Sequence, residues 1–218
     1  MPKKRSLPPR FLKHKAKGLY LKLGVRLVAR GLTSRFIHRD FVHVPLQRLG
    51  VLIGKGGGVK KELEDRLGVK LSIDSEGGIV EVRLTEGGDP SSLFKARDVV
   101  LAIANGFSPE RAFKLLDEEA SLAIIDLGEY AGDSKEALTR IKGRIIGEGG
   151  KARRIIEEAT GALVSVADDK VAIIGDYEAI EVAKRAVEML AEGRQHSTVY
   201  GFLMRKRREM KRRKMGAA

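Results

Sequence analysis

Apolar positions along this chain follow two rhythms, and the same succession of rhythms occurs twice. Val69, Leu71 and Ile73 alternate with polar residues, as do Val164 and Val166 after Ala162, and each run follows an amphipathic stretch closed by a glycine, Gly68 or Gly161. Period-two alternation predicts strands with one buried face. A short polar turn comes next, Glu76-Gly77-Gly78 in the first copy and Asp168-Asp169 in the second, and then a second alternating run, Val80, Val82, Leu84 or Val171, Ile173. Helical spacing takes over after that. Ala96, Val99, Val100, Ile103 and Ala104 follow a start at Asp89-Pro90, and Ile180, Ala183, Ala186, Val187 and Leu190 follow a start near Asp176. One more strand is predicted upstream of each copy, at residues 41–45 and 122–127.

Each copy therefore reads strand, helix, glycine-rich loop, helix, strand, strand, helix, which predicts an α+β fold of two small units of about 85 residues. Between them Ser108-Pro109 starts a helix, with proline at its first position and Ala112, Phe113, Leu115 and Leu116 as its apolar side. The units are placed at 36–106 and 120–196, with a helical linker at 107–119, an N-terminal arm at 1–34 and a C-terminal arm at 197–218. In the first arm Leu19, Leu21, Leu23, Val25 and Leu27 alternate as an edge strand would, while Lys22, Arg26 and Arg30 recur at helical spacing; the two readings stay open.

The repeat is densest at its glycines. Gly50-Val-Leu-Ile-Gly-Lys-Gly-Gly57 returns as Gly143-Arg-Ile-Ile-Gly-Glu-Gly-Gly150 at an offset of 93 residues. Three phosphate-binding readings compete. A Walker A loop fails, because three residues rather than four separate Gly50 from Gly54, and Gly56 follows Lys55 where a hydroxyl is required. The dinucleotide fingerprint is nominally met from Gly147 to Ala152, with Asp168 downstream, but it needs a strand before its first glycine, and residues 134–146 have helical spacing. A Gly-x-x-Gly loop between two helices, which clamps the backbone of about four nucleotides, fits both copies. Without Cβ atoms at Gly54, Gly56, Gly57 and at Gly147, Gly149, Gly150, phosphates can approach backbone amides and the next helix N-terminus. Glycines that merely permit tight helix packing explain one such loop more easily than two in the same context.

Charge changes where that chemistry can sit. Of 218 residues, 42 are Lys or Arg and 29 Asp or Glu, a net charge of +13 that favours a polyanionic partner. The first 39 residues hold 12 basic and no acidic side chains, and residues 205–218 hold 8 basic and one acidic, so the middle is acidic on balance. Local basic patches must therefore carry binding by the units, and Arg48, Lys55, Lys60, Lys61 around one loop and Arg140, Lys142, Arg144, Lys151, Arg153, Arg154 around the other supply them. The absence of Cys excludes disulfides and cysteine zinc sites, and His14, His38, His43 and His196 are too scattered to suggest a metal cluster. No apolar stretch approaches the ~20 residues of a membrane span, so a cytoplasmic protein is expected. Aromatic content of 5% argues against base stacking on an RRM sheet. Asp117-Glu118-Glu119 and Asp168-Asp169 are paired carboxylates of the kind that bind magnesium in nucleases, though a linker and a strand turn account for them more simply.

The segments Leu52-Ile-Gly-Lys-Gly-Gly57, Ile145-Ile-Gly-Glu-Gly-Gly150 and Ile155-Ile-Glu-Glu-Ala-Thr-Gly161 resemble type I KH domains. The tandem arrangement, the continuation Lys60-Lys61-Glu62-Leu63 and the closing His196-Ser-Thr-Val-Tyr-Gly-Phe-Leu203 before a basic tail resemble the archaeal branch of the partner-of-Nob pre-ribosomal family, over roughly residues 36–210. The resemblance implies two KH domains, each a three-stranded antiparallel sheet covered by three helices. It implies a non-enzymatic adaptor, without cofactor or metal, that binds single-stranded rRNA near the small-subunit 3′ end. Its implied partners are a Nob-type endonuclease and other small-subunit assembly or ribosome-bound factors, with no membrane partner. Alternatives are a general KH regulator, an RNA-decay subunit or a magnesium-dependent ribonuclease.

In eukaryotic relatives the first KH loop is degenerate and the second binds, which points to Gly147, Glu148, Gly149 and Gly150 as the main site. Arg144, Lys151 and Arg154 are the expected phosphate contacts, and Ile146, Ala152, Ile155 and Val164 an apolar floor for bases, although Ala152 and Ile156 at helical spacing also read as plain core. Glu148 stands where many KH domains carry a basic residue. The first loop is intact here, so Gly54, Lys55, Gly56, Gly57 and Lys60 are expected to bind as well. In the C-terminal arm Ser197 or Thr198 can cap a basic helix containing Val199, Phe202 and Leu203, with ordering expected on RNA.

Overall fold

Asp89, Ser134 and Asp176 stand where the sequence places helix starts, and each caps one. Their side chains accept from the N–H of Ser91, Ala137 and Ala179 at 3.0, 3.1 and 2.8 Å, satisfying donors that a first helical turn leaves without partners. A computed structural model describes residues 39–216; the arm at 1–34 lies outside the described residues.

The first repeat runs β1 (Arg39–His43), α1 (Leu46–Ile53), a 3-10 turn (Lys55–Gly57), α2 (Gly58–Leu67), β2 (Val69–Asp74), β3 (Ile79–Leu84) and α3 (Pro90–Ala104). After a short α4 (Pro109–Ala112) and a 3-10 turn (Phe113–Leu116), the second repeat runs β4 (Ser121–Asp126), α5 (Gly128–Ala131), α6 (Lys135–Ile146), a 3-10 turn (Glu148–Gly150), α7 (Lys151–Thr160), β5 (Leu163–Ala167), β6 (Lys170–Gly175) and α8 (Tyr177–Ala191); α9 (His196–Gly216) follows. The sheets are ordered β1-β3-β2 and β4-β6-β5. Antiparallel register places Leu71 opposite Val82 in the first and Val164 opposite Ile173 in the second, so alternate residues face the helices. The opening strands end two residues and one residue earlier than the sequence pattern suggests, because Pro45 starts α1 and Leu127 leads into the unanticipated α5.

The other faces of the two sheets differ. In the first sheet, Lys70, Ser72, Asp74, Ile79 and Arg83 point outward and are exposed. In the second, the outward residues are Leu163, Ser165, Ala172 and Ile174, and Ala172 and Ile174 are buried in a core shared with Ala104, Phe107, Ala112 and Leu115 of the first repeat and its linker. At the seam Ser165 Oγ donates to Asn105 O at 2.9 Å, and a Cβ on Gly106 would lie 2.7 Å from that Oγ. Arg111 pairs with Glu157 across it, and its guanidinium lies 5.4 Å from the Phe107 ring centroid. The second sheet is thus covered on both faces, which is why β6 reads as the unbroken apolar run from Val171 to Ile174.

The repeat also extends past the boundaries read from the sequence. Arg48 in α1 donates through Nε to Ile103 O at 2.8 Å and through Nη2 to Phe107 O; Arg144 in α6 donates through Nε to Leu190 O at 3.1 Å and through Nη2 to Arg194 O. Each guanidinium thus adds a donor to carbonyls at the end of its repeat's third helix, where Ile103 O and Leu190 O already accept from Gly106 N–H and Gly193 N–H at 3.1 Å. These carbonyls correspond at an offset of 87 residues, which pairs Pro109 with His196, Ala112 with Val199 and Phe113 with Tyr200. Ala112 and Val199 are both fully buried. The linker helix and the head of the C-terminal arm are therefore the same fourth element of two repeats. In the second it continues as a long helix packed on α7 and α8 through Val199, Leu203 and Met210, with Arg213 paired to Glu178 at 2.9 Å. Ser197 and Thr198 lie inside its first turn rather than capping it. Docking by these apolar side chains orders the helix as part of the fold, in place of the RNA-dependent ordering expected from its charge.

Candidate nucleic-acid interface

The two glycine loops have the same backbone to within a few degrees. Gly54 and Gly147 sit at φ/ψ of 72/175 and 71/172, Gly56 and Gly149 at 60/23 and 56/23, and Gly57 and Gly150 at 78/11 and 77/14. All six have positive φ, which side-chain-bearing residues rarely adopt. A Cβ on Gly54 would also lie 2.9 Å from Val59 N, and one on Gly147 would lie 2.8 Å from Ala152 N. At Gly56, Gly57, Gly149 and Gly150 a Cβ would meet nothing within 4 Å, so these glycines leave the outer surface of each loop open. Gly57 N–H donates to Gly54 O at 3.2 Å and Gly150 N–H to Gly147 O at 3.1 Å, closing the turns. No side chain caps α2 or α7, so the amides that open each helix remain available to an anion, with the helix dipole behind them.

Around the second loop the expected residues divide. Lys151 and Arg154 are exposed, and Arg154 Nη2 donates to Gly149 O at 3.3 Å, which places a guanidinium against the loop. Glu148 is exposed on the loop itself. Ile146 is half-buried at the end of α6 and offers part of its side chain as a surface. Ala152 does not: it is fully buried, with its Cβ 2.7 Å from where a Gly147 side chain would stand, so it packs beneath the loop and cannot serve as a floor for bases. Arg144 is half-buried and its guanidinium is engaged with the Leu190 and Arg194 carbonyls, so its role is to hold α6 against the end of α8. In the first loop Lys55 is exposed and Lys60 half-buried.

Beside each loop a carboxylate does the same work. Glu64 Oε1 accepts from Leu71 N–H at 2.8 Å, and Glu157 Oε1 from Val164 N–H at 2.8 Å, so the edge strands β2 and β5 each have an outward donor satisfied from within. Among the described residues no group of three or more His, Asp or Glu is arranged to hold a metal ion. Asp168 occupies the two-residue turn between β5 and β6 with φ of 47, a conformation Asp tolerates, and Asp117, Glu118 and Glu119 line an open cleft of about 440 Å³ with Lys114. No helix among the described residues is long and apolar enough to cross a membrane.

The fourth element adds residues that the sequence reading passed over. His196 Nε2 donates to Arg144 O at 2.9 Å, and its ring lies 5.9 Å from that of Tyr200, so both aromatic side chains stand next to the second loop. Their i, i+4 spacing in a basic tail carried no signal by itself. Alignment of the tail with residues 109–113 would have exposed it.

Comparison with known proteins places this geometry. The family described as eukaryotic type KH-domain, KH-domain type I, matches residues 121–208, and the KH domain family matches residues 39–102. The match to the second repeat thus includes the head of α9. A KH domain-containing protein of Methanocaldococcus jannaschii is 48% identical over 173 residues, 79% of this chain and 76% of that protein. The pre-rRNA-processing protein pno1 of Aspergillus oryzae is 32% identical over 175 residues, 79% of this chain and 67% of that protein. The chain belongs to the Pno1-type family of tandem KH proteins. The Pno1-type fold is also that of a crystallised relative, in the a/eIF2alpha–aDim2p–rRNA complex from Pyrococcus horikoshii OT3, with TM-score 0.75, 49% identity, and coverage of 78% of this chain and 94% of that one.

Proposed function

We propose that this protein is a non-catalytic ribosome-assembly factor that binds single-stranded rRNA near the small-subunit 3′ end and assists its endonucleolytic maturation by a Nob-type enzyme. The observation that carries the reading is the second glycine loop, with open amides at the start of α7 and Lys151 and Arg154 beside it, inside the segment matched as a Pno1-type KH domain. A KH loop of this form clamps about four nucleotides of backbone. The relative crystallised with rRNA and the pre-rRNA-processing name of the Aspergillus protein support rRNA as the ligand. Lys151 and Arg154 contact phosphates; Arg144 positions α6. The first loop, with Lys55 and Lys60, is a second anion-binding surface of the same geometry.

The test is fluorescence anisotropy with an oligonucleotide matching the rRNA 3′ end, comparing wild type with the double substitution Glu148→Asp, Gly149→Asp. The space around Gly149 accepts a side chain, and Asp tolerates its positive φ, so the variant folds. Affinity falls about tenfold as a second carboxylate joins the one already at position 148 in facing the phosphate path. Unchanged affinity removes the site assignment. Wild-type affinity also falls with salt, each phosphate contact contributing a slope of about −0.7 in log–log form. Cleavage of labelled RNA by pure protein with magnesium would instead establish a nuclease.

A further inference from the structure

A groove of about 400 Å³ lies between α6, the second glycine loop and the head of α9. Gly143 and Gly147, one helical turn apart, give it a wall without side chains, and a Cβ on Gly143 would meet nothing within 4 Å. Arg140, Lys151, His196 and Tyr200 stand around that wall. Arg140 and Lys151 are exposed and form no ion pair among the described residues. His196 is held by its bond to the Arg144 carbonyl, which requires the proton on Nε2 and leaves a neutral ring's acceptor at Nδ1. Tyr200 is half-buried against it at an interplanar angle of 60°.

The first repeat has the same loop backbone here without that chemistry. Gln47, Gly58, Pro109 and Phe113 occupy the places of Arg140, Lys151, His196 and Tyr200. The Phe113 ring, moreover, is covered by the Arg66 guanidinium at 5.6 Å, whereas Ala159 takes the place of Arg66 in the second repeat. The first repeat thus has neither cation at these places and one ring already in contact with Arg66, whereas the second presents two cations and two aromatic rings to whatever enters.

We infer that the second groove is a nucleotide subsite, which takes one residue of a single-stranded RNA adjoining those on the glycine loop, with its phosphate on Arg140 and Lys151 and its base against Tyr200 and His196. This rests on the RNA-binding reading of the loop. A cation pair next to aromatic faces is the combination that holds single strands with little sequence preference. The glycine wall admits the sugar close to the helix backbone. Glu148, the one acidic group on the rim, turns a phosphate away from its own side and accepts from a base amino group there. An acidic peptide would satisfy the cations but leave the aromatic pair unused.

Anisotropy on the full chain separates the subsite from the loop, using RNAs of about four and about eight nucleotides. Tyr200→Ala is expected to weaken the longer RNA about fivefold to tenfold and to leave the shorter one unchanged. Tyr200→Phe keeps a stacking ring and the packing of α9, and is expected to bind both lengths as wild type does, so a loss through misfolding is recognised. Arg140→Gln is expected to reduce the salt slope for the longer RNA by about 0.7. If Tyr200→Ala binds both lengths as wild type does while the Glu148→Asp, Gly149→Asp variant weakens both, the subsite is wrong and the loop assignment stands. Equal weakening of both lengths by Tyr200→Ala also overturns a separate subsite. No effect of the loop variant on either length overturns the loop reading and the subsite with it.

Discussion

Glu81 and Ala172 occupy equivalent places on the outer faces of the two sheets, as do Arg83 and Ile174. These positions are polar in one repeat, where Arg83 is exposed and Glu81 half-buried beside it at 3.0 Å; in the other they are apolar and buried against the first repeat's third helix and linker. Two copies of one backbone have thus been set to different tasks by a few side chains on a face that neither needs for its own core. The outer face of one sheet is polar, and the other becomes the floor of a seam that joins the two repeats through Phe107, Leu115 and the Arg111–Glu157 pair. The fourth elements diverge in the same way, one short with Arg66 over its Phe113, the other long, basic and lining a groove beside its glycine loop.

The largest way to break this comparison is to exchange the residues. Ala172→Glu gives the second sheet what the first already has, and because Ala172 is fully buried the carboxylate is cut off from water, with Arg111 at the seam already paired to Glu157. A loss of about 3 to 5 kcal/mol in urea unfolding is expected, the usual cost of an uncompensated buried charge. Arg83→Ile, the reverse exchange at the neighbouring position, whose side chain is 57% exposed, is expected to cost about 1 kcal/mol or less. A mild effect of Ala172→Glu would show that the seam opens readily.

Much of this was legible before the structure, and the parts that were not share one cause. Alternation at Val69, Leu71 and Ile73 and helical spacing after Asp89 and Asp176 placed most elements, since those residues choose a face within their own repeat. The loops were legible because glycine at a positive φ is a local requirement. The seam was not. Ala172 and Ile174 interrupt the alternation of β6, but an unbroken apolar run does not say what covers its second face. Nearness to the loop in sequence points Arg144 and Ala152 toward RNA, whereas a guanidinium reaching Leu190 O, or a methyl under Gly147, depends on residues that only the folded chain brings close. His196 and Tyr200 were hidden likewise by a tail whose basic composition suggested a detached arm.

The guanidinium clamps offer a sharper test of what the repeats retain in common. Arg48 and Arg144 arise one helical turn apart in the aligned repeats, yet each joins two carbonyls at the end of its third helix. Burial lowers the pKa of Arg48 from its ordinary value, but guanidinium keeps its proton in proteins, so the clamp persists at neutral pH. Arg48→Met and Arg144→Met are each expected to cost about 2 kcal/mol, the range of a charge-assisted bond. If only one does, the clamps are not equivalent. RNA affinity adds a further contrast, since Gly56→Asp is expected to weaken RNA by less than the matching Gly149→Asp in the second loop, where Lys151 replaces Gly58.

Helix caps provide the smallest contrast. Asp176→Ala removes the acceptor of Ala179 N–H and is expected to lower stability by about 1 kcal/mol in thermal melting. Asp89 caps the equivalent helix, and its carboxyl is held below the usual range, first by the Ser91 hydroxyl and then by the Ser91 N–H. A depressed carboxyl stabilises the fold above its unfolded pKa and loses that contribution as pH falls through the folded one. Melting temperatures of wild type and Asp89→Ala should therefore differ at neutral pH and converge in acid below the carboxylate range. A difference that persists there would mean that Asp89 holds α3 by packing, and that the two caps, alike in sequence, act by different physics.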